Sequence, residues 1–180
     1  MIEYRAVTSE EYKIIKTQVT KSFNIKEFET IITPSEMIIG IGNWKEVFLV
    51  SNQLIGIFHE FKDYRNPYFI GIHFGDINRD KFRISLEGIS LISEYVEEKT
   101  ILNDSGEKKV IYGRDLSKQD IHYIPTHIQK DELSILINEK KEVLALGKYL
   151  FKKEEIELLN NTQKIIKNII DIGWYLRKGR

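Results

Sequence analysis

Apolar side chains recur at Tyr12, Ile15, Val19 and Phe23 with polar residues between them, a stripe of helical period. Thr8 followed three residues later by Glu11 supplies a capping box, so the pattern predicts a helix over about 9–22. Two β-type runs come next, Met37-Ile38-Ile39 and Val47-Phe48-Leu49-Val50, around a turn at Gly40-Ile41-Gly42-Asn43. Ser51-Asn52 is placed to cap a helix running through Leu54, Ile55, Phe58 and Phe61. Tyr68 to Phe74 and Phe82 to Leu86 read as strands joined by a polar turn from Asp76 to Asp80. Ile89, Leu91, Ile92 and Tyr95 then fit a further helix. Strands and helices mixed without βαβ regularity predict an α+β fold, an antiparallel sheet with packed helices.

The pattern changes near residue 96. Glu97-Glu98-Lys99 forms a solvated boundary, and Asn103-Asp104-Ser105-Gly106 opens a short helix that ends at Gly113. Short strands follow at 121–124, 133–137, 143–150 and 165–170, the middle two joined by the compact loop Asn138-Glu139-Lys140-Lys141. Many short strands in a small region point to a partly closed barrel. The expected organisation is two domains, 1–95 and 96–180.

Charge changes the picture only locally. The 27 basic and 27 acidic side chains cancel, so no overall basic excess advertises nucleic acid. Residues 1–95 carry 11 basic and 13 acidic groups, whereas residues 96–180 carry 16 and 14. From Asn160 onward, Lys164, Lys167, Arg177, Lys178 and Arg180 stand against Asp171 alone. Cations gathered on one face neutralise phosphates and release counterions, and the same cluster is equally consistent with a solvated terminus. Trp174 and Tyr175 lie inside this segment. With Ile169, Ile170, Ile172 and Leu176 around it, Trp174 is expected to anchor the tail to the barrel rather than to stack on a base.

Reactive chemistry is sparse. The absence of cysteine excludes disulfides, thiolate metal sites and cysteine nucleophiles. His59, His73, His122 and His127 are scattered, so no metal site is expected. Gly40-Ile41-Gly42 lacks the third glycine of a dinucleotide loop, and neither a phosphate-binding loop nor a nucleophile elbow occurs. Adjacent acids such as Glu97/Glu98 and Glu154/Glu155 point apart, and Asp63, Asp76 and Asp80 fall in expected turns without a partner. No catalytic residue and no cofactor follow. No apolar stretch reaches the ~18 residues of a membrane span, and no secretory leader is evident, so a cytoplasmic location is expected.

Several features in order carry a resemblance: Gly75 with Lys81-Phe82-Arg83-Ile84, then Tyr95, then Ile111-Tyr112-Gly113, then Leu144-Ala145-Leu146-Gly147. Asp171-Ile172-Gly173, Tyr175 and Arg177 close the series, and Arg5 with Thr8, Glu10 and Glu11 opens it. This order resembles the Nip-seven type of ribosome biogenesis factor, shared by archaea and eukaryotes, and fits an archaeal member. The resemblance implies a pre-PUA α/β domain followed by a PUA domain, a mixed β pseudo-barrel named for pseudouridine synthases and archaeosine transglycosylases. It further implies a non-catalytic, monomeric factor in large-subunit assembly and pre-rRNA processing, with RNA and other assembly factors or ribosomal proteins as partners. The RNA contacts it implies are Lys109, Gly113, Arg114, Lys118, Lys148, Lys152, Lys153, Lys164 and Lys167.

Two positions depart from that family. Asp120 stands where PUA domains usually carry glycine, and Glu157-Leu158 stands where some members carry a basic pair. Two other readings stay open: an RNA-modifying enzyme or its accessory subunit, and a protein adaptor that docks through the acidic N-terminal half.

Overall fold

The first helix begins where its capping box places it. Thr8 Oγ1 accepts from the Glu11 N–H, Glu11 accepts from the Thr8 N–H, and helix α1 runs Ser9–Phe23 with Ile15, Val19 and Phe23 buried. The structure, a computed structural model, describes residues 2–61, 67 and 70–178, without the side chains of Phe61, Tyr175, Leu176 and Lys178. The expectations on Tyr68, Asp63 and Arg180 lie outside the described residues. The chain forms two compact units, Met1–Tyr95 and Val96–Arg180.

In the first unit α1 follows strand β1 (Glu3–Ala6) and precedes the short helix α2 (Phe28–Ile32). Strands β2 (Ser35–Ile41) and β3 (Lys45–Ser51), helix α3 (Asn52–Phe61), strands β4 (Ile72–Asn78) and β5 (Lys81–Ile84) and helix α4 (Leu86–Ile92) complete it, with a final 3₁₀ turn over Ser93–Tyr95. The strands form one antiparallel sheet in the order β1-β2-β3-β4-β5. Ile38, Phe48 and Val50 pack with Ile55 and Phe58 of α3 and with Ile70. Met37, Ile39, Val47 and Leu49 alternate with them and are buried as well. Burial on both faces explains why these strands read as unbroken apolar runs. Phe28 of α2, Phe74 of β4 and Phe82 of β5 meet in a ring cluster, with Phe74 and Phe82 stacked at 5.5 Å.

Three expectations shift here, and in the first β5 ends at Ile84, so that Ser85 caps α4 and Leu86 opens it. Gly40 and Ile41 belong to β2, so the turn tightens to the residues after them, where the Gly42 N–H donates to the Trp44 carbonyl. Asp76 is not in a turn: it lies in β4 and pairs with His73, and the chain reverses at Arg79-Asp80, with Arg79 at φ +55°.

The second unit contains β6 (Thr100–Leu102), α5 (Asp104–Ile111), β7 (Leu116–Ser117), a 3₁₀ turn over Lys118–Asp120 and β8 (Ile121–Tyr123). It continues through β9 (Leu133–Ile137), β10 (Val143–Tyr149), α6 (Lys153–Leu158), β11 (Lys164–Asp171) and α7 (Gly173–Lys178). Its sheet runs β7-β11-β10-β9-β6-β8, antiparallel except for the parallel pair β6 and β9. The two outermost strands are consecutive in the chain. Ser117 ends one and Ile121 begins the other, so the edges lie within roughly 14 Å, and the sheet must curl into a nearly closed barrel. Leu102, Val110, Leu116, Leu136, Leu144, Ile165 and Ile166 fill it. One polar set is buried among them: Tyr149 Oη lies 2.6 Å from Thr100 Oγ1, which lies 2.8 Å from Ser134 Oγ.

Candidate nucleic-acid interface

Helix α5 starts at Asn103, whose side chain accepts from the Ser105 and Gly106 N–H groups. It ends in a Schellman motif: the Arg114 N–H donates to the Lys109 carbonyl and the Gly113 N–H to the Val110 carbonyl, with Gly113 at φ +71°. This closure presents Tyr112, 69% exposed, with the Arg114 guanidinium 5.8 Å from the centre of its ring. Gly113 does not face open space. A Cβ there would lie 2.9 Å from the guanidinium carbon of Arg177, which donates both terminal nitrogens to the buried Asp171 carboxylate at 3.0 Å and one of them to the Ile111 carbonyl.

Asp115 ties this segment to β11. Its carboxylate lies 3.4 Å from Lys164 Nζ and accepts from the Asn168 N–H at 3.2 Å. Lys164 pairs with Ser117 and Ile166 with Leu116, so β11 bulges between them; Ile165 and Ile166 both turn inward, and Lys164 and Lys167 are both exposed. Lys167 is the direct partner of Lys148 on β10, which places both side chains on one face, and Lys148 Nζ is 2.8 Å from the exposed Asp131. Lys148, Lys164 and Lys167 thereby lie along the outer side of β10 and β11, and Arg114 directly precedes the Asp115 that pairs with Lys164.

The remaining cations are placed elsewhere. Lys109 Nζ lies 2.6 Å from Asp120 Oδ2, and Asp120 is fully buried. Asp120 also accepts from the Ser117 N–H at 2.7 Å and from Ser105 Oγ at 3.0 Å. Burial works to raise the Asp120 pKa, but the Lys109 ammonium and these two donors outweigh it and hold the carboxyl below its ordinary value. Lys118 Nζ donates to the carbonyls of Glu157 and Leu159. Lys152 is exposed and Lys153 half-buried at the start of α6, where Glu154, Glu155 and Glu157 follow.

Sequence reasoning identified the cations but not their partners. It missed Tyr112 as an exposed aromatic and Asp120 as the centre of a hydrogen-bonded cluster; the position of Tyr112, just before a helix-ending glycine, was the available signal. Trp174 is 42% exposed, and Arg177 fastens the C-terminal helix to β11 through Asp171.

Comparison with known proteins agrees with this architecture. Residues 4–86 match the family model described as the NIP7/UPF0113 pre-PUA domain, and residues 98–180 match that of the UPF0113 PUA domain. The chain belongs to the NIP7/UPF0113 family. A UPF0113 protein of Archaeoglobus fulgidus is 25% identical over 174 residues, which span 97% of this chain and 94% of that relative. A conserved PUA domain protein of Thermoplasma acidophilum superposes with a TM-score of 0.64 at 14% identity, covering 95% of each chain. A PUA domain protein of Aeropyrum pernix, solved as a tartrate complex, gives 0.66 at 8% identity, covering 96% of this chain and 88% of its own. These structural likenesses establish the shared fold of the NIP7/UPF0113 chain, an antiparallel sheet with helices followed by a PUA-type barrel. No described helix is long and apolar enough to cross a membrane.

Proposed function

We propose that this protein is a non-catalytic RNA-binding factor, cytoplasmic and monomeric, that serves large ribosomal subunit assembly and pre-rRNA processing by holding RNA on its PUA domain. The observation that carries the reading is the exposed Tyr112–Arg114 pair, tied through the adjacent Asp115 to Lys164 on the strand that also carries Lys167 and pairs it with Lys148. An exposed ring offers a face to an unpaired base, worth about 1–3 kcal/mol per base, while the cations position phosphates without reading sequence. Membership of a family with a PUA domain supports the same reading.

Lys148 and Lys164 already have aspartate partners at the surface, pairs that are weak in water and exchangeable for phosphate. Among the described residues, Lys167 and Arg114 have no carboxylate within ion-pair distance. Lys109 and Lys118 serve the barrel itself, and their contribution to RNA binding is indirect. In the N-terminal unit Trp44, Leu54 and Ile57 are exposed, which suits contact with other assembly factors or ribosomal proteins.

The test is binding of single-stranded and structured RNA by the full chain and by a variant combining Arg114→Ala, Lys164→Ala and Lys167→Ala. The variant should bind all sequences more weakly, and its affinity should depend less steeply on salt. Tyr112→Ala should weaken binding to unpaired RNA more than to duplex. Unchanged affinity in the triple variant would overturn the assignment. Crosslinking in cells with sequencing of the bound RNA then tests for pre-rRNA as the target.

A further inference from the structure

Strand β4 breaks the alternation that a strand imposes. His73 and Asp76, three apart, would point to opposite faces of a regular strand. The register against β3 slips between them: Val47 pairs with Gly75 and Phe48 with His73, leaving Phe74 as the extra residue of a β-bulge. Only glycine fits beside it. Gly75 has φ +156°, and a Cβ there would lie 2.2 Å from the Arg83 carbonyl oxygen and 2.7 Å from the Phe82 ring.

The bulge brings His73 and Asp76 to one side, with His73 Nε2 3.2 Å from Asp76 Oδ1. Glu46 is the direct cross-strand partner of Asp76. One ligand atom from each of Glu46, His73 and Asp76 lies within 4.8 Å of the other two, and all three side chains are half-buried. Burial and the nearby Asp76 charge raise the Glu46 pKa, opposed by His73. Burial disfavours the His73 imidazolium, but the hydrogen bond to Asp76 and the charges of Asp76, Glu46 and Glu87 outweigh it and raise its pKa. Two carboxylates thus flank one imidazole within ligand reach of one another.

We propose that Glu46, His73 and Asp76 form a binding site for a divalent transition-metal ion of the Zn²⁺ class. One imidazole and two carboxylates are a donor set that suits such ions. Metal–ligand bonds of ~2.0–2.2 Å set tetrahedral donors roughly 3.4 Å apart, close to the His73–Asp76 spacing. Glu46, on the neighbouring strand, closes on the ion by side-chain rotation and completes one face, leaving a position for water. The ion stabilises two carboxylates that otherwise face each other across the register. The ligands come from two hydrogen-bonded central strands, a rigid base for such a site. This site is separate from the RNA-binding reading and stands or falls without it.

The experiment uses the full chain after chelator treatment, titrated with Co²⁺ alone by absorption and with Zn²⁺ alone by calorimetry. One ion per chain is expected, with the visible bands of a low-coordinate Co²⁺ site and a rise in Tm. Glu46→Gln removes one ligand yet leaves the His73–Asp76 pair, and should weaken Zn²⁺ binding by at least roughly tenfold. Asp76→Asn should do the same. His122→Ala, which removes the exposed His122–Glu139 pair, should leave binding unchanged. Circular dichroism and unfolding midpoints of Glu46→Gln keep loss of the site distinct from loss of the fold. If the native protein takes up no ion, or if folded Glu46→Gln binds as tightly as the native chain, the cluster is a His–Asp ion pair and the proposal is wrong.

Discussion

Asp120 shows how one side chain takes on a task that its position in the family would not suggest. Where the resemblance leads one to expect glycine, this chain places a fully buried carboxylate in the turn between the two edge strands of the barrel. It binds Lys109 of α5, the Ser117 N–H at the end of β7 and Ser105 at the start of α5, so it joins helix to seam. Asp120→Gly therefore should not produce an ordinary family member. We expect it to lower stability by about 3–5 kcal/mol, the usual cost of removing one partner of a buried pair, measured by urea unfolding. Glu11 plays a related part in the first unit. The Arg5 guanidinium binds both its oxygens, at 2.7 and 2.8 Å; against the cost of burial, this and the Thr8 and Lys45 donors hold its carboxyl well below the ordinary range. A carboxyl depressed in the folded state stabilises above its unfolded pKa, about 4.3, and that stabilisation is lost as pH falls toward the folded value. Glu11→Gln should be less stable by about 1.5–3 kcal/mol at pH 7, and the gap should narrow as unfolding is measured at increasingly acidic pH.

Among the elements, those that carry their own signal were legible. Helix α1 announces itself by its cap and stripe, and the β9–β10 hairpin by two apolar runs around a polar loop, closed at Lys141 with φ +67°. Strands β1, β6 and β7 and helices α2, α6 and α7 were not legible. Leu116–Ser117, for example, is a strand only because β11 pairs with it, and two residues have no periodicity to read. The bulge in β4 was hidden for a different reason. Shifting the phase by one residue reverses which side chains share a face, so His73 and Asp76 look unrelated until the register is known. Of the nine residues that the resemblance proposes as RNA contacts, only tertiary pairing shows that Lys109 and Lys118 are also engaged internally. Gly75→Ala tests the bulge itself. It should destabilise by about 1–3 kcal/mol from backbone strain alone, with the clash against Arg83 adding to this, and it should remove metal uptake together with the bulge.

For the molecule as a whole, equal numbers of positive and negative groups mean that the proposed attraction to RNA must be local. If Arg114, Lys164 and Lys167 each meet one phosphate, the logarithm of affinity should fall with the logarithm of salt at a slope of roughly −2 for single strands. A titration at several ionic strengths checks this, and a much steeper slope would place further cations in the interface.

The Arg177 guanidinium lodged against Gly113 has a practical consequence for anyone scanning this surface by mutagenesis. Gly113 has φ +71°, so any larger residue there strains the backbone, and its Cβ presses on the Arg177 guanidinium, the tip of a flexible side chain that must shift where it meets Asp171. A Gly113 variant that loses RNA would thus report backbone strain and a disturbed latch as well as a missing contact, and truncation ahead of Arg177 removes the latch with Gly113 intact, so the two can be told apart.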